Sequence, residues 1–236
     1  DINGKIINKD RDTNEWFLGR EKTYKFLRER SYVFGSYQWA AVEHRGEAAW
    51  PRVCSASGAL DLFLQKKGAF YQNKSHWSAD PMVHIVPHWN FKGLEGTEIS
   101  VTVYTNCEEL ELFLNGISLG RKQIEKYGHG EWSVKYAAGT LEVKGFNGGK
   151  EVCCDKRVTT GKPVALKLTK DNDFTANGSD IALFTCECVD ENGLTVPNAA
   201  EYVRFSVLEP AKIIATGSDN CDHNNIANTE RKMYMG

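Results

Sequence analysis

No stretch of the 236-residue sequence approaches the roughly 18 consecutive apolar residues that a membrane-spanning helix requires, so no membrane span is expected. Charge of one sign is not in excess either. Lys and Arg number 29 against 31 Asp and Glu, a net charge of −2, which gives no electrostatic ground for a nucleic-acid surface. The first residues, Asp1-Ile2-Asn3-Gly4-Lys5, lack the apolar core of a signal peptide and an initiating methionine, so an internal fragment or processed product is expected. No glycine-rich loop follows a strand and opens a helix to hold a phosphate, and there is no G-x-S-x-G elbow for an acyl-transfer serine. Low-complexity segments and short-period repeats are absent.

Seven cysteines are present, an odd number at irregular spacing: Cys54, Cys107, Cys153, Cys154, Cys186, Cys188 and Cys221. A disulfide scaffold would be shorter and denser in cysteine, so reduced thiols packed in cores are expected. A zinc site would need further convergent ligands. His84 and His88 are four apart, but Pro87 between them opposes the helix that would bring them together, and no metal and no cofactor are expected. Asp219, Asp222 and His223 form a polar stretch that reads as readily as a loop at a sandwich end as a cation site.

What is present divides along the chain. At about 100–200 residues per domain the length suggests two domains, within a range of one to three. Five of the six tryptophans (Trp16, Trp39, Trp50, Trp77 and Trp89) fall early, after which the sequence becomes short alternating strands and turns. The boundary is expected near Asp80-Pro81. Before it, Asp12 and Glu15 resemble a capping box opening a helix over 15–29, with Trp16, Phe17, Tyr24 and Leu27 as core contacts. The aromatic and β-branched run 31–40 reads as a buried strand, and 66–76 as a second helix. Helix, strand, loop and helix make one unit of an α/β fold.

From Met82 the pattern is all-β. Residues 98–104 alternate with period two, and Leu110, Leu112 and Leu114 share one strand face with Glu109 and Glu111 on the other. Asn115-Gly116 supplies a type I′ hairpin turn, since both central residues need positive φ. Strands over 132–136, 140–146 and 151–158 complete a β-sandwich of roughly seven strands. After a linker at 159–163, a second sandwich is expected from strands at 165–168, 181–189, 203–207 and 213–216. No closing strand is visible beyond them, so the chain is expected to end inside or at the edge of this domain.

Titratable groups converge in one stretch, Trp39-Ala40-Ala41-Val42-Glu43-His44-Arg45-Gly46-Glu47, directly after the expected strand. In barrel enzymes the C-terminal ends of strands face the active site. Carboxylates accept hydroxyl hydrogen bonds, and a flat indole packs on the apolar face of a sugar ring. Equally, Glu43, Arg45 and Glu47 can form an ion-pair network that braces a loop. A retaining glycosidase pair made of Glu43 and Glu47 is disfavoured, because two residues of one loop hold a carboxyl separation of about 5–5.5 Å poorly. Trp89 and Trp132 serve either as core residues or as a sugar-binding face of the first sandwich.

Phe34-Gly35-Ser36-Tyr37-Gln38-Trp39 followed by Glu43-His44-Arg45-Gly46-Glu47 resembles the eighth barrel strand of bacterial β-galactosidases of glycoside hydrolase family 2, usually G-x-F-x-W-T-G-x-D-Y-R-G-E. Ser57-Gly58-Ala59-Leu60-Asp61 and the segment from Lys67 to Trp77 are similar to the family's last loop and helix. Pro87-His88-Trp89-Asn90, Thr105-Asn106 and Glu111-Leu112-Phe113-Leu114-Asn115-Gly116 resemble the β-domain after the barrel. Thr160-Gly161-Lys162-Pro163 and Val196-Pro197-Asn198-Ala199 resemble the junction and body of the next immunoglobulin-like domain.

The resemblance implies a mainly β chain of two immunoglobulin-like β-sandwiches, preceded by the α/β C-terminal end of a TIM barrel. The expected domains are the barrel end at 1–80, a sandwich at 81–160 and a second, truncated sandwich at 161–236. It implies a parent enzyme that hydrolyses terminal β-galactosides with retention, through two glutamates lying upstream of residue 1, so that the fragment alone is inactive and structural. Trp39 matches the substrate-lining tryptophan, and Glu43 stands where the family has aspartate. Both are the expected substrate-binding residues, with no catalytic residue in this chain. Expected partners are a β-galactoside or related carbohydrate, the rest of the catalytic barrel, and a second copy in a homo-oligomer. The compartment is left open between cytoplasm and periplasm of a bacterium. The rival expectation is a non-catalytic carbohydrate-binding module presenting Trp89 and Trp132.

Overall fold

A computed structural model of the chain describes residues 15–218 and 222–234, with side chains from residue 19 onward. Asp12 of the expected capping box and Asp219 and Cys221 lie outside the described residues, as do the side chains of Trp16 and Phe17. Residues up to Thr159 form one compact unit, and those from Thr160 a second. The fold is mainly β.

The first unit opens with helix α1 (Glu15–Arg28). Helix α2 (Gly68–Trp77) follows a long loop. Tyr24 of α1 is buried, its hydroxyl donates to Asn73 Oδ1 at 2.8 Å, and its ring stands 4.4 Å from that of His76. Arg20 donates to Gln72 Oε1 at 2.8 Å, so the two helices are joined through side-chain amides as well as rings.

The segment 31–40 corrects the sequence reading: it forms no strand, and Tyr32, Phe34, Tyr37 and Trp39 are exposed. An extended run becomes a strand only where a neighbouring backbone pairs with it. Among the described residues no strand lies alongside 31–38 to do so. The aromatic composition was read as burial, whereas here it marks an uncovered apolar face.

Among the described residues of the unit seven strands follow: β1 (Val83–Val86), β2 (Glu98–Thr105), β3 (Glu109–Leu114), β4 (Ile117–Gln123), β5 (His129–Lys135), β6 (Thr140–Asn147) and β7 (Lys150–Val158). They form two antiparallel sheets, ordered β1-β2-β5 and β4-β3-β6-β7. Ile85, Val101, Val103, Trp132 and Val134 of the first sheet pack with Leu110, Leu112, Leu141 and Val143 of the second, joined by Trp89, Phe91 and Tyr136. Period two is the cause. In β3, Leu110 and Leu112 are fully buried while Glu109 and Glu111 lie on the other face. Asn115 and Gly116 have φ of 51° and 80°, as the hairpin turn requires. Helix α2 rests on the first sheet, with the Tyr71 and His84 rings stacked at 3.3 Å.

In the second unit β8 (Ala165–Lys170) pairs with β9 (Phe184–Val189), and β10 (Tyr202–Arg204) with β11 (Glu230–Lys232). Cys188, Val196, Ala199, Val203 and Met233 form its core. Two sequence readings change. Residues 213–216 form no strand, and a late strand, β11, does exist. Its sequence Glu-Arg-Lys shows no apolar alternation. Arg231 is nevertheless buried, because its guanidinium donates to the carbonyls of Thr216 at 3.0 Å and Asn225 at 2.6 Å and faces Asp222 at 3.2 Å.

Candidate functional site

The loop at 39–47 is held by backbone hydrogen bonds to residues 55–60. Ala40 N–H donates to the Ser57 carbonyl, Glu43 N–H to the Leu60 carbonyl at 2.9 Å, Leu60 N–H to the Ala41 carbonyl at 2.9 Å, and Ser55 N–H to the His44 carbonyl at 2.8 Å. Val42 and Leu60 form a parallel bridge, Arg45 and Cys54 an antiparallel one. The Trp39–Ala40 peptide is cis. Gly58 lies so close that a Cβ there would stand 2.3 Å from Glu43 N, which only glycine permits.

On this frame the Trp39 indole is exposed, at 71 %, with its edge toward the His44 ring at 5.5 Å and 85°. His44 Nδ1 is fixed by Ser55 Oγ at 2.8 Å. Trp39 therefore presents a flat apolar surface to solvent from an anchored base.

Glu43 does the opposite. Its side chain is fully enclosed, one carboxylate oxygen taking the Lys67 ammonium and the other accepting from Cys54 Sγ at 3.3 Å. Burial and the neighbouring carboxylate push the Cys54 thiol up to about 12. Glu43 thus braces the loop against the start of α2. The Glu43–Arg45–Glu47 network expected from the charge pattern is not what forms: Glu43 pairs with Lys67, and Arg45 is exposed. Glu47 is 68 % exposed beside His44 Nε2 at 3.6 Å. One carboxylate enclosed with Lys67 and the other in solvent do not make a glycosidase pair.

Trp89 and Trp132 are both buried in the sandwich core, and Trp89 Nε1 donates to Ala137 O at 3.0 Å. This removes the aromatic platform on which the carbohydrate-binding-module reading rested. His84 and His88 are also buried. Burial, with the Arg157 charge, pulls their imidazoles down to about 2 and about 4. Among the described residues no group of three or more His, Cys, Asp or Glu could hold a metal ion, and no helix is long and apolar enough to cross a membrane.

Comparison with known proteins agrees with this mainly β fold. Residues 166–236 match the model of the glycoside hydrolase family 2 C-terminal domain 5, and residues 96–153 a domain family of unknown function, DUF4982. The chain is 33 % identical over 229 residues to the β-galactosidase BoGH2A of Bacteroides ovatus, covering 94 % of this chain and 27 % of that protein. It is 32 % identical over 213 residues to a β-glucuronidase of Formosa agariphila, covering 81 % and 22 %. A solved glycosyl hydrolase family 2 member from Bacteroides cellulosilyticus superposes with a TM-score of 0.87 at 29 % identity, covering 92 % of this chain and 33 % of that one.

These are glycosidases, and the architecture is that of their β-sandwich C-terminal domains. The chain belongs to glycoside hydrolase family 2, and the relatives it matches are longer proteins. It spans about a quarter of the length of the curated relatives it matches.

Proposed function

We propose that this chain is the part of a retaining family 2 glycosidase that closes the substrate pocket and braces the barrel. The parent would hydrolyse terminal β-galactosides, with both catalytic glutamates supplied from outside this chain. Residues up to about 80 would be the barrel's end, and the two sheet-rich regions that follow immunoglobulin-like sandwiches. The 33 % identity to a β-galactosidase over 94 % of the chain carries this reading. The exposed faces of Tyr32, Phe34 and Tyr37 are the surface that neighbouring barrel strands would cover. Trp39, anchored and exposed, would contact the sugar; Glu43, enclosed by Lys67 and Cys54, would hold Trp39's loop rather than touch substrate.

A β-glucuronide is the second substrate class, favoured by the identity to a β-glucuronidase. The test is kinetic. Trp39→Ala in the parent enzyme should lower kcat/KM for the preferred chromogenic glycoside by about 10- to 100-fold with the fold intact. The ratio of galactoside to glucuronide turnover in the parent decides between the two substrates. An unchanged kcat/KM in Trp39→Ala would remove Trp39 from the pocket.

A further inference from the structure

Two thiols meet inside the first unit. Cys107 lies in the turn between β2 and β3, and Cys153 on β7, yet their sulfurs stand 3.4 Å apart in hydrogen-bond contact. They meet across β6, over Gly145, the residue that pairs with Cys153. A Cβ on Gly145 would lie 2.7 Å from Cys107 Sγ and 2.9 Å from Cys153 Sγ. The missing side chain is what opens the space in which the sulfurs approach. Cys107 is buried, and Cys153 is partly exposed on the edge strand of its sheet. The other described thiols have no such partner: Cys54 faces Glu43, and Cys154 is exposed.

We propose that Cys107 and Cys153 are a redox modification site, a dithiol that closes to a disulfide and staples the edge strand β7 to the β2–β3 turn. The oxidant is a low-molecular-weight disulfide. Cys153, the more accessible of the two, gives its proton to solvent and attacks the oxidant as the thiolate, forming a mixed disulfide and releasing one small thiolate. Cys107 then attacks the Cys153 sulfur, the protein S–S bond forms, and the second small thiolate leaves. Two electrons pass to the oxidant, and the two thiol protons end on the released thiols. In the dithiol the hydrogen bond between the sulfurs lowers the Cys107 thiol and raises that of Cys153, so Cys153 must lose its proton to solvent before it attacks. Closing a loop across 46 positions restricts the unfolded chain, so oxidation stabilises the sandwich.

The test treats the reduced 236-residue chain with oxidised glutathione, blocks remaining thiols, and maps peptides without reduction. Because Cys153 and Cys154 are adjacent, the mapping is repeated in Cys154→Ser. A Cys107–Cys153 link that survives Cys154→Ser, with a thermal midpoint raised by roughly 5–10 °C and restored by dithiothreitol, is the expected result. Cys107→Ala and Cys153→Ser should each abolish link and shift. The proposal is overturned if glutathione remains on Cys153 while Cys107 stays alkylatable, if Cys154 carries the link, or if the midpoint does not rise. Should Cys107→Ala fail to fold, the map of the unsubstituted chain and of Cys154→Ser still decides.

Discussion

Lys67, at the residue before α2, places its ammonium on the carboxylate of Glu43, whose side chain is completely enclosed. This pair adds to the backbone hydrogen bonds with residues 55–60 that hold the loop from which Trp39 projects. Removing the cation alone leaves a buried charge without compensation, which costs about 3–5 kcal/mol. Lys67→Met should therefore destabilise strongly in urea unfolding. Lys67→Met combined with Glu43→Leu should recover most of that loss. A double variant no more stable than the single one would show that the pair does not help to hold the loop.

The tryptophans of the sandwich give a second prediction. Trp89 is among the largest fully buried side chains, so Trp89→Ala should cost about 3–5 kcal/mol of stability. No change in affinity for any sugar should accompany it. Affinity lost while the midpoint is unmoved would revive the binding-module reading.

The contact between α1 and β5 predicts a pH dependence. His129 Nδ1 lies 2.6 Å from Glu21, and its Nε2 lies 3.2 Å from Glu131. Burial alone would lower the imidazole, but the two carboxylates outweigh it and its pKa is raised. Its contribution is thus complete below about pH 6.5, the unfolded value, and is lost as pH rises through the folded value. Burial would raise Glu21, but His129 and Lys25 outweigh it and the net shift is downward. The stability from Glu21 is present above its unfolded value and lost as pH falls through the folded one. The difference in midpoint between the unsubstituted chain and His129→Gln should be largest between these limits. It should shrink on both sides, and a difference independent of pH would contradict the assignment.

Much of the sandwich was legible because its cause is local. Alternation in β2 and β3 and the Asn115-Gly116 turn need only neighbouring residues to be read. What failed depends on distant partners. The aromatic run at 31–40 has the composition of a buried strand, but pairing is what makes a strand, and among the described residues no strand lies alongside 31–38. The enclosure of Glu43 was not legible either, because its partners Lys67 and Cys54 lie 24 and 11 positions away. Strand β11 is hidden by its charge, since Arg231 is buried through carbonyls and the Asp222 carboxylate brought from elsewhere in the second unit. The approach of Cys107 to Cys153 likewise has no local signature beyond a glycine in β6.

The most direct measurement is hydrolysis of chromogenic β-galactoside and β-glucuronide by the purified 236-residue chain, beside its Glu43→Gln variant. The account places both catalytic glutamates outside this chain, so it predicts no turnover of either substrate. Turnover that Glu43→Gln abolishes would contradict it, placing the chemistry on the loop that the Glu43–Lys67 pair braces.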